Sequence, residues 1–135
     1  MKKKNQKLKI NKRLIRFLPW AWMVLIFYAS SRQRIEITES YWLSFLFFKI
    51  LHILEYGFLF IFWFFALDSK PYRKKEAIVF SFLYGLFDEF HQTFVPTRGG
   101  SLRDVLINLF GILIFSAFVL KRIKKLAHKK FIFFG

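Results

Sequence analysis

Long apolar runs separated by short polar segments dominate this chain. Four runs, at about residues 14–31, 43–67, 77–95 and 102–120, are rich in Leu, Ile, Phe and Trp. Because a helix needs about 20 mostly apolar residues to cross the hydrocarbon of a bilayer, the pattern predicts an all-α membrane protein with four transmembrane helices. The first run could instead be a signal peptide cleaved near Ala29, Ser30 and Ser31. We favour a retained first helix because three further spans follow it.

Polar side chains interrupt the second, third and fourth runs at intervals of three and four residues, which places each set on one helix face. The sets are Lys49, His52, Glu55 and Tyr56; Asp88, His91, Gln92 and Val95, with Glu89 at the edge; and Asp104, Asn108 and Gly111. A central Asp in a membrane costs roughly 2.5–3.5 kcal/mol on insertion scales. Such side chains are therefore expected to be paired, hydrated or functional, and Gly111 would let another helix approach closely.

The segment between the third and fourth runs predicts a tight turn. Pro96 ends the third helix. Gly99 and Gly100 are free to adopt positive φ. Ser101 and Asp104 match a variant of the capping box at the start of the fourth helix.

The distribution of charge indicates that the partner of this chain is a membrane and not a nucleic acid. The net charge is +15, but 18 of the 23 Lys and Arg lie in two tails, residues 1–16 and 121–135, and in the loop of residues 68–76. By the positive-inside rule both termini are cytoplasmic, and the tails lie on anionic lipid headgroups. The membrane domain is then residues 17–120. The chain has no cysteine, which excludes thiolate chemistry.

This topology places the three polar sets at one depth. The second and fourth helices enter from outside and the third exits outward, so all three carry their polar residues in the outer half of the membrane. We therefore predict a small polar pocket that opens outward, with residues 96–101 as its roof and Arg98 above it.

The same residues resemble the signature of the VanZ-like family. The matching positions are Ser30, Ser31, Lys49, His52, Tyr56, Asp88, Glu89, His91, Gln92, Val95, Pro96, Arg98, Ser101, Asp104, Asn108 and Gly111. Two positions depart from the pattern, since members usually have Gly in place of Thr97 and often Asp in place of Asn108. The resemblance implies a bacterial multipass membrane protein. The founding member is associated with reduced susceptibility to the glycopeptide teicoplanin, and the family implies no settled reaction.

The predicted pocket contains two groups of candidate site residues. The candidate catalytic residues are His52, Asp88, Glu89, His91 and Asp104. The candidate ligand-binding residues are Lys49, Glu55, Tyr56, Gln92, Arg98, Ser101 and Asn108. The guanidinium of Arg98 suits phosphate or carboxylate. Structural roles are the alternatives: a hydrogen bond between helices for His52, an ion pair with Glu89 or Asp104 for Arg98, and a helix cap for Ser101.

Three functional hypotheses follow. The favoured one is a binding or protective protein that engages a lipid-linked envelope precursor or a lipoglycopeptide. The second is a hydrolase or transferase acting on a lipid phosphate or diphosphate, with His52 or His91 as base or nucleophile. The third is a divalent-metal site, because His52-x-x-Glu55 and Asp88-x-x-His91 place carboxylate and imidazole at i, i+3 on two helices. The sequence establishes no cofactor.

Overall fold

Four helices form the part of the chain that the structure describes. The computed structural model describes residues 12–33, 39–67 and 72–134. Within these ranges the helices are α1 (Lys12–Ser30), α2 (Tyr41–Ala66), α3 (Arg73–Gln92) and α4 (Leu102–Phe134). The all-α, four-helix prediction is confirmed. Most of the predicted N-terminal tail, residues 1–11, and parts of two loops, residues 34–38 and 68–71, lie outside the described residues.

Two of the described helices are apolar and long enough to cross a membrane. They are α2 over Tyr41–Ala66 and the Leu102–Ile123 part of α4. α1 and α3 have 19 and 20 residues, and both begin with basic side chains that lower their hydropathy. The four-span prediction is therefore supported for two helices, and the spanning of α1 and α3 remains a prediction.

Three helix boundaries differ from the prediction by three residues or more. α3 begins at Arg73 instead of residue 77. α3 ends at Gln92 instead of residue 95. The N–H of Val95 donates to the Gln92 carbonyl at 3.2 Å, a tighter turn than an α-helix, because Pro96 disfavours the α conformation in the residue before it. α4 continues past residue 120 to Phe134. The predicted tail of residues 121–135 is thus helical to residue 134, since its Lys, Arg, Leu and Ala favour helix.

The turn between α3 and α4 differs from the prediction at its glycines. Neither Gly99 nor Gly100 has a positive φ, whereas Thr97 has a φ of 67°. The left-handed conformation, unfavourable for a β-branched residue, thus falls where the VanZ-like pattern has Gly. Gly100 is instead required for close approach, because a Cβ there would collide with the carbonyl oxygen of Glu89.

α2 is the central helix of the bundle, packed against each of the other three and most extensively against α4. Its side chains Tyr56, Leu59 and Phe60 are completely buried. The outer surface carries large apolar side chains, such as Trp42 and Leu102, which are 74% and 81% exposed. A surface of this kind suits lipid better than water.

Hydrogen bonds from side chains to backbone hold α1 against α2 and α3. The indole N–H of Trp22 donates to the Glu55 carbonyl at 2.9 Å. The hydroxyl of Tyr84 donates to the Met23 carbonyl at 2.6 Å. These bonds make α1 part of the bundle and position its C-terminal end beside the polar residues of α2 and α3.

We predict that Gly111→Ala lowers the free energy of unfolding by about 1–3 kcal/mol, because overpacking a tight contact forces backbone shifts. A Cβ at this position would lie 2.5 Å from the carbonyl oxygen of Ile53, at the contact between α2 and α4. Denaturant titration in detergent micelles measures the effect. The matched control is Gly99→Ala, where a Cβ would meet nothing within 4 Å. Equal stability of the two variants would contradict the predicted close approach.

Candidate functional site

Polar contacts join α2 to α3 and α4 at successive turns of α2. Lys49 forms an ion pair with Asp104, His52 Nδ1 lies 3.1 Å from Asn108 Oδ1, and the Tyr56 hydroxyl donates to Asp88 Oδ2 at 2.9 Å. The polar faces of the three helices therefore meet. The structure brings together these residues from segments that lie far apart in sequence.

Asp88 is buried between α2 and α3, with 1% of its surface exposed. Its Oδ2 accepts hydrogen bonds from Tyr56 and from Gln92 Nε2, at 2.9 and 3.0 Å. Its Oδ1 is buried and has no hydrogen-bond partner among the described residues. An unsatisfied buried oxygen is costly, so the donors of Tyr56 and Gln92 are important for keeping this carboxylate in the bundle.

Glu89 takes part in the cap of α4. The Ser101 hydroxyl accepts from the Asp104 N–H at 3.2 Å, which confirms the predicted capping role of Ser101. In the predicted capping box, the side chain of Asp104 would accept a hydrogen bond from the Ser101 N–H. In the structure the Ser101 N–H donates to Glu89 Oε2 at 3.1 Å. The carboxylate of Asp104 instead binds Lys49. The cap thereby fixes Glu89 beside Asp104.

Arg98 connects the turn to α1. Its Nε donates to the Arg32 carbonyl at 2.7 Å and one terminal nitrogen donates to the Ala29 carbonyl at 3.1 Å. Carbonyls at a helix C-terminus have no partner within the helix, so a cation is favourable there. Arg98 therefore has a structural role in holding α1 in addition to lining the cavities described below.

His91 lies against α1. Its ring stacks on Phe27 with centroids 4.4 Å apart, and its Nε2 lies 3.0 Å from Ser31 Oγ. The Ser31 hydroxyl donates its one proton to the Phe27 carbonyl at 2.7 Å, so His91 Nε2 is the donor to Ser31. A residue three positions after Asp88 is rotated by roughly 60° from it, which directs His91 towards α1. The structure thus separates His91 from the other candidates.

Two small polar cavities lie beside these contacts. The first, about 50 Å³, is lined by Phe48, Lys49, His52, Gln92, Arg98, Gly99 and Asp104. The second, about 40 Å³, adds Glu55 and Asp88 and reaches Ala29 and Ser30 of α1. They share four lining residues and are neighbours: Phe48, His52, Gln92 and Arg98. Each has room for a few water molecules or one small anionic group.

A larger apolar groove lies in the same seam between α1, α2 and α3. Its volume is about 490 Å³, and it is lined by Trp20, Met23, Trp63, Phe80, Leu83 and Tyr84. Along α2, Trp63 is roughly 12 Å from Glu55 at 1.5 Å per residue. Sequence reasoning missed this groove because periodicity assigns aromatic side chains to a face without showing where two helices diverge.

Three residues from different helices could hold a metal ion. One ligand atom each from His52, Glu89 and Asp104 lies within 4.8 Å of the other two. This is not the set expected from the i, i+3 pairs, since Glu55, Asp88 and His91 do not join it. Asp88 is bound by Tyr56 and Gln92, and His91 is directed to α1.

Comparisons with known proteins agree with the motif. A family model described as VanZ/LLP1 matches residues 2–124, which is most of the chain. No curated protein matches the chain, and no solved structure matches it.

We predict that Tyr56→Phe costs about 1.5–3 kcal/mol of unfolding free energy, as expected for losing a hydrogen bond to a charged group. The hydroxyl removed is completely buried and donates to Asp88. Denaturant titration in micelles measures the loss. Tyr41→Phe is the control on the same helix, because Tyr41 is 70% exposed. A Tyr56→Phe variant as stable as the control would show that the contact contributes little.

Proposed function

The chain belongs to the VanZ/LLP1 family, and we propose that it is a four-helix bacterial membrane protein that binds an amphiphile with an anionic headgroup. The headgroup enters the polar cavities, which open to the outer face of the membrane. The amphiphile is a lipid-linked envelope precursor or a lipoglycopeptide. Through this binding the protein modulates the response of the cell envelope to teicoplanin-type glycopeptides.

The proposed membrane arrangement places all four helices across the bilayer, with both termini in the cytoplasm. Its support is the concentration of 18 of the 23 Lys and Arg in the tails and the second loop. The apolar outer surface of the helices is further support. In this arrangement the polar contacts of α2 with α3 and α4 lie in the outer half of the membrane, and Arg98 lies near its outer surface.

The charges of the first cavity support an anionic ligand. Lys49 and Arg98 line it with His52, and Asp104 is its one lining carboxylate. Lys49 is paired with Asp104, and the guanidinium of Arg98 adds a second positive charge to this wall. A volume of about 50 Å³ suits a phosphate or carboxylate better than a whole sugar.

The apolar groove carries the proposal that the ligand is amphiphilic. It lies in the same seam between α1, α2 and α3 as the second polar cavity. The offset of roughly 12 Å along α2 is a short distance for a lipid chain attached to a headgroup. A polar cavity above an apolar groove is complementary to one molecule that has both parts.

A hydrolase or transferase acting on a lipid phosphate is the second candidate, with or without a metal ion. His52 is the residue that favours it, because the imidazole lines both cavities and is oriented by Asn108. However, Asn108 is neutral, and a neutral partner stabilises the imidazolium of a general base less than a carboxylate does. For this reason we favour binding over hydrolysis.

The topology yields a direct prediction, because the wild-type chain has no cysteine. We expect Gly99→Cys to react with a membrane-impermeant maleimide added to intact cells, since this turn is proposed to face outward. Lys121→Cys, at an exposed position of α4, is expected to react only after permeabilisation. The cysteine-free parent is the control for background labelling. Reaction of Gly99→Cys only after permeabilisation would reverse the proposed orientation.

We also predict that the cavity residues are needed for ligand binding. Lys49→Met is expected to weaken binding of dodecyl phosphate to the purified protein by about tenfold, the value of one charge-assisted hydrogen bond. Calorimetry in micelles measures the change. The control is Arg103→Gln, which removes an exposed cation outside both cavities. Equal weakening by the two variants would indicate attraction by general charge only.

A test in cells complements the binding measurement. Teicoplanin susceptibility and protein level are measured in a susceptible bacterium that expresses each variant. Alanine at His52 or Asp104 is expected to remove the protective effect at equal protein level. His91→Ala is expected to retain it, because His91 lines neither cavity. Full protection by the His52 and Asp104 variants would show that the cavities are not needed for protection against teicoplanin.

A further inference from the structure

We propose that His52, Glu89 and Asp104 form a binding site for one first-row divalent transition-metal ion such as Zn²⁺ or Mn²⁺. Each residue comes from a different helix, α2, α3 or α4, and offers one ligand atom within 4.8 Å of the other two. Two ligands of one tetrahedral Zn²⁺ ion, each at about 2.0–2.2 Å from it, lie about 3.3–3.6 Å apart. Three atoms within 4.8 Å of one another therefore need to move by less than about 1 Å each to bind a common ion.

Glu89 supplies the observation that points to a missing ligand. The side chain is only 4% exposed, and Oε2 accepts from the Ser101 N–H. Oε1 is buried and has no hydrogen-bond partner in residues 12–33, 39–67 and 72–134. A buried carboxylate oxygen without a donor is costly. A cation beside Oε1 would remove this cost.

His52 is oriented as a metal ligand is. Its Nδ1 lies 3.1 Å from Oδ1 of Asn108, which can only accept, so Nδ1 carries a proton and the neutral imidazole has its lone pair on Nε2. A metal-binding histidine commonly donates its other ring N–H to an oxygen acceptor that fixes the tautomer and the ring orientation. Asn108 is itself buried, with 1% of its surface exposed.

Asp104 provides the third ligand, and Lys49 provides the competing cation. One carboxylate oxygen of Asp104 binds the Lys49 ammonium, and the other can bind a metal ion. Both side chains are mostly buried, at 15% and 14% exposed, so the interaction is weakly screened. Lys49 therefore neutralises Asp104 without the metal and repels the metal when it binds.

The ligand set decides the class of ion. One imidazole nitrogen with two carboxylate oxygens suits Zn²⁺ or Mn²⁺, whereas Ca²⁺ takes six or more oxygen ligands. His52 and Asp104 also line the first cavity, so an open coordination position would face it. The cation site depends only on the contacts above. Contact between the ion and an anionic headgroup would rest on the proposed function.

The test is metal titration of the untagged full chain in detergent, after treatment with EDTA. By calorimetry we expect one Zn²⁺ or Mn²⁺ ion per chain and no comparable binding of Ca²⁺. Glu89→Gln retains an acceptor for the Ser101 N–H but loses the anionic ligand, and should raise the metal Kd by tenfold or more, on the order of ligand-shell losses. Glu39→Gln, which removes an exposed carboxylate outside both cavities, is the control and should leave the Kd unchanged.

Lys49→Met is the second variant, and its expected effect is opposite in sign. Removal of the competing ammonium should lower the metal Kd by about tenfold and increase the thermal stabilisation that Zn²⁺ gives. If Glu89→Gln fails to fold, the metal Kd of Lys49→Met still tests the proposed metal site. Absence of metal binding by the wild-type chain, an unchanged Kd in Glu89→Gln, or weaker binding in Lys49→Met would each overturn the site.

The same variant separates this site from the proposed function. Lys49→Met should weaken dodecyl phosphate binding while it strengthens metal binding. Dodecyl phosphate binding without metal binding would overturn the cation site alone. Metal binding without dodecyl phosphate binding would support the cation site and contradict the headgroup proposal.

Discussion

The structure depends on satisfying polar groups that are buried between apolar helices. The pairs Lys49–Asp104, His52–Asn108 and Tyr56–Asp88 follow one another at successive turns of α2. A rotation or a one-residue shift of α2 against α4 would break more than one pair, leaving charges and amides without partners in an apolar surrounding. Packing of aliphatic and aromatic side chains alone would tolerate such shifts more easily. The polar pairs therefore specify how the helices are aligned.

Close backbone approach makes these pairs possible. Gly111 permits α4 to approach the backbone of Ile53, and Gly100 permits the turn to approach the carbonyl of Glu89. The turn then positions Ser101 to cap α4 and Arg98 to bind the end of α1. The residues that shape the cavities are consequently the residues that hold the bundle together, so stability must be measured alongside any loss of function.

The cavities are too small to enclose a large ligand, but a much larger apolar groove lies in the same seam between α1, α2 and α3 as the second cavity. This arrangement is suited to recognising the charged end of an amphiphile while the rest of that molecule stays in lipid. The neutral side chain of Asn108 orients His52 without supplying charge for general base chemistry. The same orientation is favourable for a neutral imidazole that binds a metal ion. His52 therefore takes part in both the proposed headgroup binding and the proposed cation site.

The sequence by itself determined the helical class, the four helices and the polar faces of α2, α3 and α4, because these follow from hydrophobic periodicity along a single helix. Its motif also identified the family. Only the tertiary structure decided that Lys49 pairs with Asp104, that Glu89 replaces Asp104 in the cap of α4, and that His91 lies against α1. It likewise assigned the positive φ to Thr97 and brought His52, Glu89 and Asp104 together. Periodicity could not give these results, because contacts between helices depend on their relative rotation, axial offset and separation, and these are properties of pairs of helices that no single stretch of sequence contains.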